Sequence, residues 1–265
     1  MELNDIVANK RALIQSINLI CAHNHGLMQN PMTFDFLRMT GIFRVTALCA
    51  GLIFLFGGAS ATAAEAPNYK TLRFDEDYSY LADPALRSDF WDPIKYFRLT
   101  EDGRSYLSLG GEWRERLEYS KGFLYKPYPD TVVLHRLMLH ADLHLGDNFR
   151  SFVQLSSQNE SGRHGGPIST DRDDLDVQQA FIDVSGSLSE NERAIARVGR
   201  QEMLYGSGRF VAMREGPNVR RSFDAGKAMY RSPTFDLDGF VSRPVLIDPG
   251  VFDDTWDDSR AFWGV

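Results

Sequence analysis

Residues Val132 to Asn148 read "VVLHRLMLHADLHLGDN" and admit two readings that exclude each other. On a helix, His140 and His144 lie four apart and would share one face, the spacing of many zinc sites. On a strand the residues alternate. Val133, His135, Leu137, Leu139, Ala141, Leu143 and Leu145 fall on one side, and Leu134, Arg136, Met138, His140, Asp142 and His144 on the other. A helix would scatter the leucines around its axis, whereas a strand collects Leu137, Leu139, Leu143 and Leu145 on one face. The strand accounts for the pattern, and its leucines suit contact with lipid. His140 and His144 then stand about 13 Å apart by rise alone, too far to share one ion. No metal site is expected there, and His135 falls on the lipid side near a strand end.

The same alternation runs through "YLSLGGEWRERLEY", Tyr106 to Tyr119. Leu107, Leu109, Trp113, Leu117 and Tyr119 share one face with Glu115, and Ser108, Glu112, Arg114, Arg116 and Glu118 share the other. Further strands are expected at Phe149–Gln158, Leu175–Val184, Ala194–Leu204, Ala225–Tyr230 and Phe235–Arg243, and "AFWGV" opens another. The connections alternate in length. "GDN" and "SPT" are tight and "SGSLSENE" is of middle length, while "SKGFLYKPYPDT", "NESGRHGGPISTDRDD", "YGSGRFVAMREGPNVRRSFD" and "PVLIDPGVFDDTWDDSR" are long and polar. Long strands with one greasy and one charged face, short turns at one end and long loops at the other, describe an antiparallel transmembrane β-barrel. The competing reading is a soluble periplasmic β-rich protein that binds polysaccharide, and strands this long with charged inner faces fit it poorly.

The 265 residues carry a formal charge of -7, which gives no reason to expect nucleic acid as a partner. Hydrophobic residues make up 43% of the chain, as in soluble proteins, but a barrel with a polar lumen has the same average. The long apolar run lies early. Arg44 precedes an apolar core from Val45 to Phe56, followed by small residues and A-x-A-like sites at 61–64. Residues 39–64 are therefore expected to be a secretory signal peptide, cleaved near Ala63/Ala64. Residues 1–38 are expected to be an upstream extension, because Met39 opens a normal signal. Cys21 and Cys49 both precede the cleavage site, so the mature chain is expected to hold no cysteine. Residues 65–104 form an irregular or briefly helical lead-in, and 105–265 the barrel domain.

Taken in order, "YLSLGGEWRERLEY", "LHRLMLHADLHLGDNFRSFVQLSS", "DRDDLDVQQAFIDV", "RVGRQEMLYGSGRF" and "REGPNVRRSFDAG" resemble the alginate export family of outer-membrane proteins. The resemblance covers about residues 100–240. It implies a monomeric barrel of about eighteen strands with an electropositive lumen that passes an anionic polyuronate. Against that number the sequence offers about seven strands and the start of an eighth. A sheet with open edges cannot sit in lipid, so the chain is expected to be a truncated or fragmentary member of the family. The partners implied are an anionic polysaccharide or other anionic solute, outer-membrane lipid and periplasmic export components.

A conduit for a polyanion needs positive charge along its path without tight binding, and arginine supplies it permanently and bidentately. On the wet faces the sequence places Arg114, Arg116, Arg136, His140, His144, Arg150 and Arg200. The long segment from Gly206 to Asp224 adds Arg209, Arg214, Arg220 and Arg221. Arg220 and Arg221 are expected to meet cargo, in a Gly/Pro-marked loop able to fold inward. Any of these arginines could instead brace the lumen through cross-strand pairs. The acidic runs "DRDDLD" (171–176) and "FDDTWDD" (252–258) lack a calcium-loop spacing and read as solvated loop charge. No nucleophile elbow is present, so no catalysis and no cofactor is expected.

Overall fold

A computed structural model describes residues 69–265. The expected upstream extension and the signal peptide with its cleavage site lie outside the described residues. The fold is all-β. Strands β1 (Phe97–Arg98), β2 (Tyr106–Lys121), β3 (Pro129–Leu145), β4 (Phe149–Ser161), β5 (Asp173–Ser189), β6 (Glu192–Gln201), β7 (Phe223–Arg231), β8 (Asp236–Leu246), β9 (Thr255–Trp256) and β10 (Phe262–Gly264) form one ten-stranded sheet. They run antiparallel in chain order from β1 to β8, with β10 on the far edge of β8 and β9 also paired to β8. Among the described residues the sheet does not close on itself.

The connections sort by end. Residues 146–148, 190–191 and 232–235 turn at one end, and 122–128, 162–172, 202–222 and 247–254 loop at the other. The connection expected to be of middle length is in fact a tight turn, because Ser189 pairs with Glu192 and the strands extend to meet it.

Register sets the two faces. Leu107 opposes Leu143, Trp113 opposes Leu137, and Leu139 opposes Leu155. Leu137, Leu139, Val153, Ile182, Val184, Val198 and Val241 continue that outward face and stand exposed. The outward positions of β2 and β3 stay uncharged from the short-turn end up to Glu115 and His135, which oppose each other and pair at 2.5 Å. On β6–β8 the first outward charges beyond Glu192 at the turn are Arg200, Asp224 and Arg243, which share one row. About ten residues at 3.3 Å rise, inclined at about 40°, give a band about 25 Å tall, the height of an outer-membrane barrel's apolar belt.

The alternation breaks in β5, which shifts register twice against β4 and once against β6. A register shift between Gln154 and Leu155 leaves Gln178 and Gln179 both buried, one extra residue accommodated as a bulge. Gly199 makes the neighbouring close approach possible. A Cβ there would lie 2.2 Å from the Ala180 carbonyl oxygen, on a backbone with φ +130°.

The lead-in covers part of the inner face. Residues 69–95 form short 3-10 turns and one helical turn, Asp92–Lys95. Phe74 sits edge-on to Phe152 (5.9 Å) and Phe181 (5.3 Å), and Leu72 and Met213 complete that cluster. Burying a phenylalanine in this way contributes about 1.5–3 kcal/mol. Arg150 donates to the Phe74 carbonyl at 2.5 Å and Arg220 to the Thr71 carbonyl at 3.3 Å, so the segment is also held by its backbone.

Candidate functional site

The 202–222 loop joins β6 to β7 and folds onto the inner face of β2–β4. Its turn at Glu215–Asn218 is gripped by arginines projecting from β2 and β3. Arg136, fully buried, donates to the carbonyls of Asn218 and Pro217, each at 2.8 Å, and to the Glu215 carboxylate at 2.8 Å. Arg114 reaches Glu215 at 2.7 Å, and Arg220, from the loop itself, reaches it at 2.6 Å. Arg116 donates to the Gly216 carbonyl at 2.8 Å and pairs with Glu118. Asn218 returns the contact through its amide, which donates to the carbonyls of His135 and Asp171. Burial alone would raise the Glu215 carboxyl, but the guanidiniums of Arg220 and Arg136 hold it below its ordinary value.

The charges here nearly cancel. Arg73 of the lead-in pairs with Glu76 (2.8 Å) and Glu112 (3.2 Å), Arg136 comes within 3.5 Å of Glu112, and Arg220 within 3.4 Å of Glu202. Four arginines (73, 114, 136, 220) thus face four glutamates (76, 112, 202, 215). Arg220 is therefore buried and paired, and does not stand open to cargo as the sequence reading expected.

Nearer the short turns, Arg150 forks onto Asp142 (2.7 and 2.6 Å), and His144 approaches the same carboxylate at 3.2 Å while stacking on Tyr106 at 4.3 Å. His140 stacks on Phe152 and fills the space above Gly110, where a Cβ would come within 2.6 Å of its Nε2. Both histidines share the inner face with Arg136, and each is engaged by aromatic neighbours.

Arg200 departs from its expected face. Its ladder partners are Ala180 and Asp224, in the series of Ile182 and Val198, and it pairs with Asp224 at 2.9 Å. The inner-face arginines of β6 are Arg193, near its turn, and Arg197, both of which the sequence reading missed. Arg197 forks onto Asp183 (2.7 and 2.8 Å) and lies over the rings of Phe181 (3.9 Å) and Phe74 (4.5 Å). Parity held the signal, since Ala194, Ala196 and Val198 form one face, leaving Arg197 on the other.

Three arginines of the loop remain. Arg209 and Arg214 are exposed and Arg221 is half-buried. Arg221 lies beside Arg214 and Arg260, and burial together with these two cations lowers its pKa. Among the described residues no ion pair joins Arg209, Arg214 or Arg221 to a carboxylate, whereas Arg260 is paired with Asp257.

Strands with an apolar outer belt, a charged inner face and a long loop folded inward define the wall of an outer-membrane β-barrel channel. Residues 105–265, well over half of the chain, match the family described as alginate export. The chain belongs to the alginate export family, whose members are outer-membrane channels for polysaccharide and transport proteins by class. Neither the curated proteins nor the solved structures offer a match.

Proposed function

We propose that the inner face of this sheet lines the path of an anionic polysaccharide, an alginate-like polyuronate or a related anionic solute, and that the solute moves without covalent chemistry. The reading is supported chiefly by how the cations divide. The arginines of β2 and β3 are neutralised and brace the inward loop, while among the described residues Arg209, Arg214 and Arg221 of that loop pair with no carboxylate. Cations held on a constricting loop and left uncompensated attract a passing carboxylate without the dry, fully paired pocket that would trap it. The solute and the roles of single residues are the content of this proposal, together with engagement of periplasmic export components at the short-turn end.

A closed barrel that contains this chain, reconstituted in lipid bilayers, tests it. Charge reversal at the unpaired positions, Arg214→Glu with Arg221→Glu, is expected to lower anion over cation selectivity several-fold and to weaken block by oligouronates, read from reversal potentials and current block. Unchanged selectivity and unchanged block in the double variant would remove the proposal.

A further inference from the structure

The two acidic runs lie about eighty positions apart in sequence, yet the fold brings them together. The 247–254 loop runs beside the head of β5. The Leu175 N–H donates to the Gly250 carbonyl at 3.3 Å, and the Phe252 N–H to the Leu175 carbonyl at 3.0 Å. The N–H groups of Asp253 and Asp254 both donate to the Asp176 carboxylate, at 2.9 and 3.1 Å. Asp173, Asp176 and Asp254 thereby each offer a carboxylate oxygen within 4.8 Å of the others. Two oxygens that each lie about 2.4 Å from a common calcium ion can be at most about 4.8 Å apart.

A second observation points to a ligand. Asp173 is 1% exposed, and its Oδ1 has no hydrogen-bond partner. Gln158, its direct cross-strand partner on β4, is fully buried, and both atoms of its side-chain amide are also unpartnered. Buried polar atoms are satisfied in the great majority of cases, and leaving one bare costs about 1–3 kcal/mol. Here three carboxylates converge from β5 and the 247–254 loop, and the bare Gln158 amide of β4 stands directly across from Asp173. The nearest cation does not answer them. Arg200 comes only within 3.7 Å of Asp176 and directs its Nε to Asp224 at 2.9 Å, and Arg172 is taken by Asp174 at 3.0 Å. Burial, with the Asp176 carboxylate adding to it, pushes the Asp254 carboxyl up to about 6.

We infer that Asp173, Asp176 and Asp254, with the Gln158 amide oxygen, form a calcium site that pins the 247–254 loop to the head of β5. Three carboxylates, an amide oxygen and water supply the six to eight oxygens that calcium takes, in an irregular arrangement unlike the octahedron magnesium demands. This site is independent of the solute-path proposal, since none of its residues is among the arginines named there.

Thermal unfolding of the full chain in detergent, after chelation and with calcium or magnesium added back, tests the site. At a hundredfold excess over the dissociation constant, calcium is expected to raise the midpoint by about 5–10 °C, and magnesium by far less. Asp173→Asn, relieved of repulsion, is expected to melt above the unsubstituted chain in chelator and to lose the calcium response. Asp254→Asn, on the loop, carries the same test if the first variant does not fold. A calcium response that is absent in the unsubstituted chain, retained in both variants, or matched by magnesium would overturn the assignment.

Discussion

The two faces of β3 differ in what fixes them. Outward, Leu137, Leu139 and Leu143 alternate without help from any distant segment, and their common face follows from register with β2 and β4 alone. Inward, Arg136, His140 and Asp142 are buried by residues remote in sequence. Arg136 meets the Glu215–Asn218 turn, His140 meets Phe152 and Asp142 meets Arg150. The outer face is written locally and is apolar and largely exposed, whereas the inner face is a set of long-range polar contacts that must all be satisfied. A charge is therefore excluded from one face and demanded on the other, and substitutions should separate them.

The largest effect is expected inside. Arg136→Ala would strip the 202–222 loop of three hydrogen bonds and leave Glu215 short of a partner. Breaking a buried ionic contact of this kind costs about 3–5 kcal/mol, to be read from urea unfolding in detergent. Outside, the converse change should be nearly as damaging. Leu139→Arg places a charge within the apolar belt and is expected to cost about 2–4 kcal/mol when folding is measured into lipid vesicles. Equal tolerance of arginine at 139 and at an inward position such as 138 would break the comparison.

A smaller effect concerns Glu215. Its folded-state pKa lies below the ordinary value of 4.5, so its contribution is present above 4.5 and is lost as pH falls through the lowered value. Stability should accordingly fall as the solution is acidified from about pH 5, and Glu215→Gln should flatten that part of the profile. At pH 7 the variant is expected to be weaker by about 1 kcal/mol, because the carboxylate is half exposed and screened. An acid limb unchanged in the variant would show that other carboxylates govern it.

What the sequence disclosed follows from the same contrast. Period-two alternation made the strands, their apolar face and the short turns legible, and the signature phrases made the family legible. The Gln178–Gln179 bulge was hidden, because a doubled polar pair leaves no mark in a strand already polar on one side. Arg200 was misplaced by counting a charge as inward without carrying the Ala194–Ala196–Val198 series two residues further. The neutralisation of Arg220 by Glu202 and Glu215, the lead-in's seat on Phe152 and Phe181, and the meeting of Asp173 with Asp254 all depend on chain segments that no local pattern brings together.

The account rests on which face meets lipid, and site-directed fluorescence quenching in bilayers measures that directly. Single cysteines at Leu139, Val198 and Val241, in a chain with Cys21 and Cys49 replaced, would carry an environment-sensitive fluorophore. A second set at Met138, Arg197 and Ser242 would occupy the adjacent inward positions. Brominated lipid is expected to quench the first set strongly and the second little. Equal quenching of both sets, or of neither, would contradict the assignment of an apolar belt outside and a charged path within.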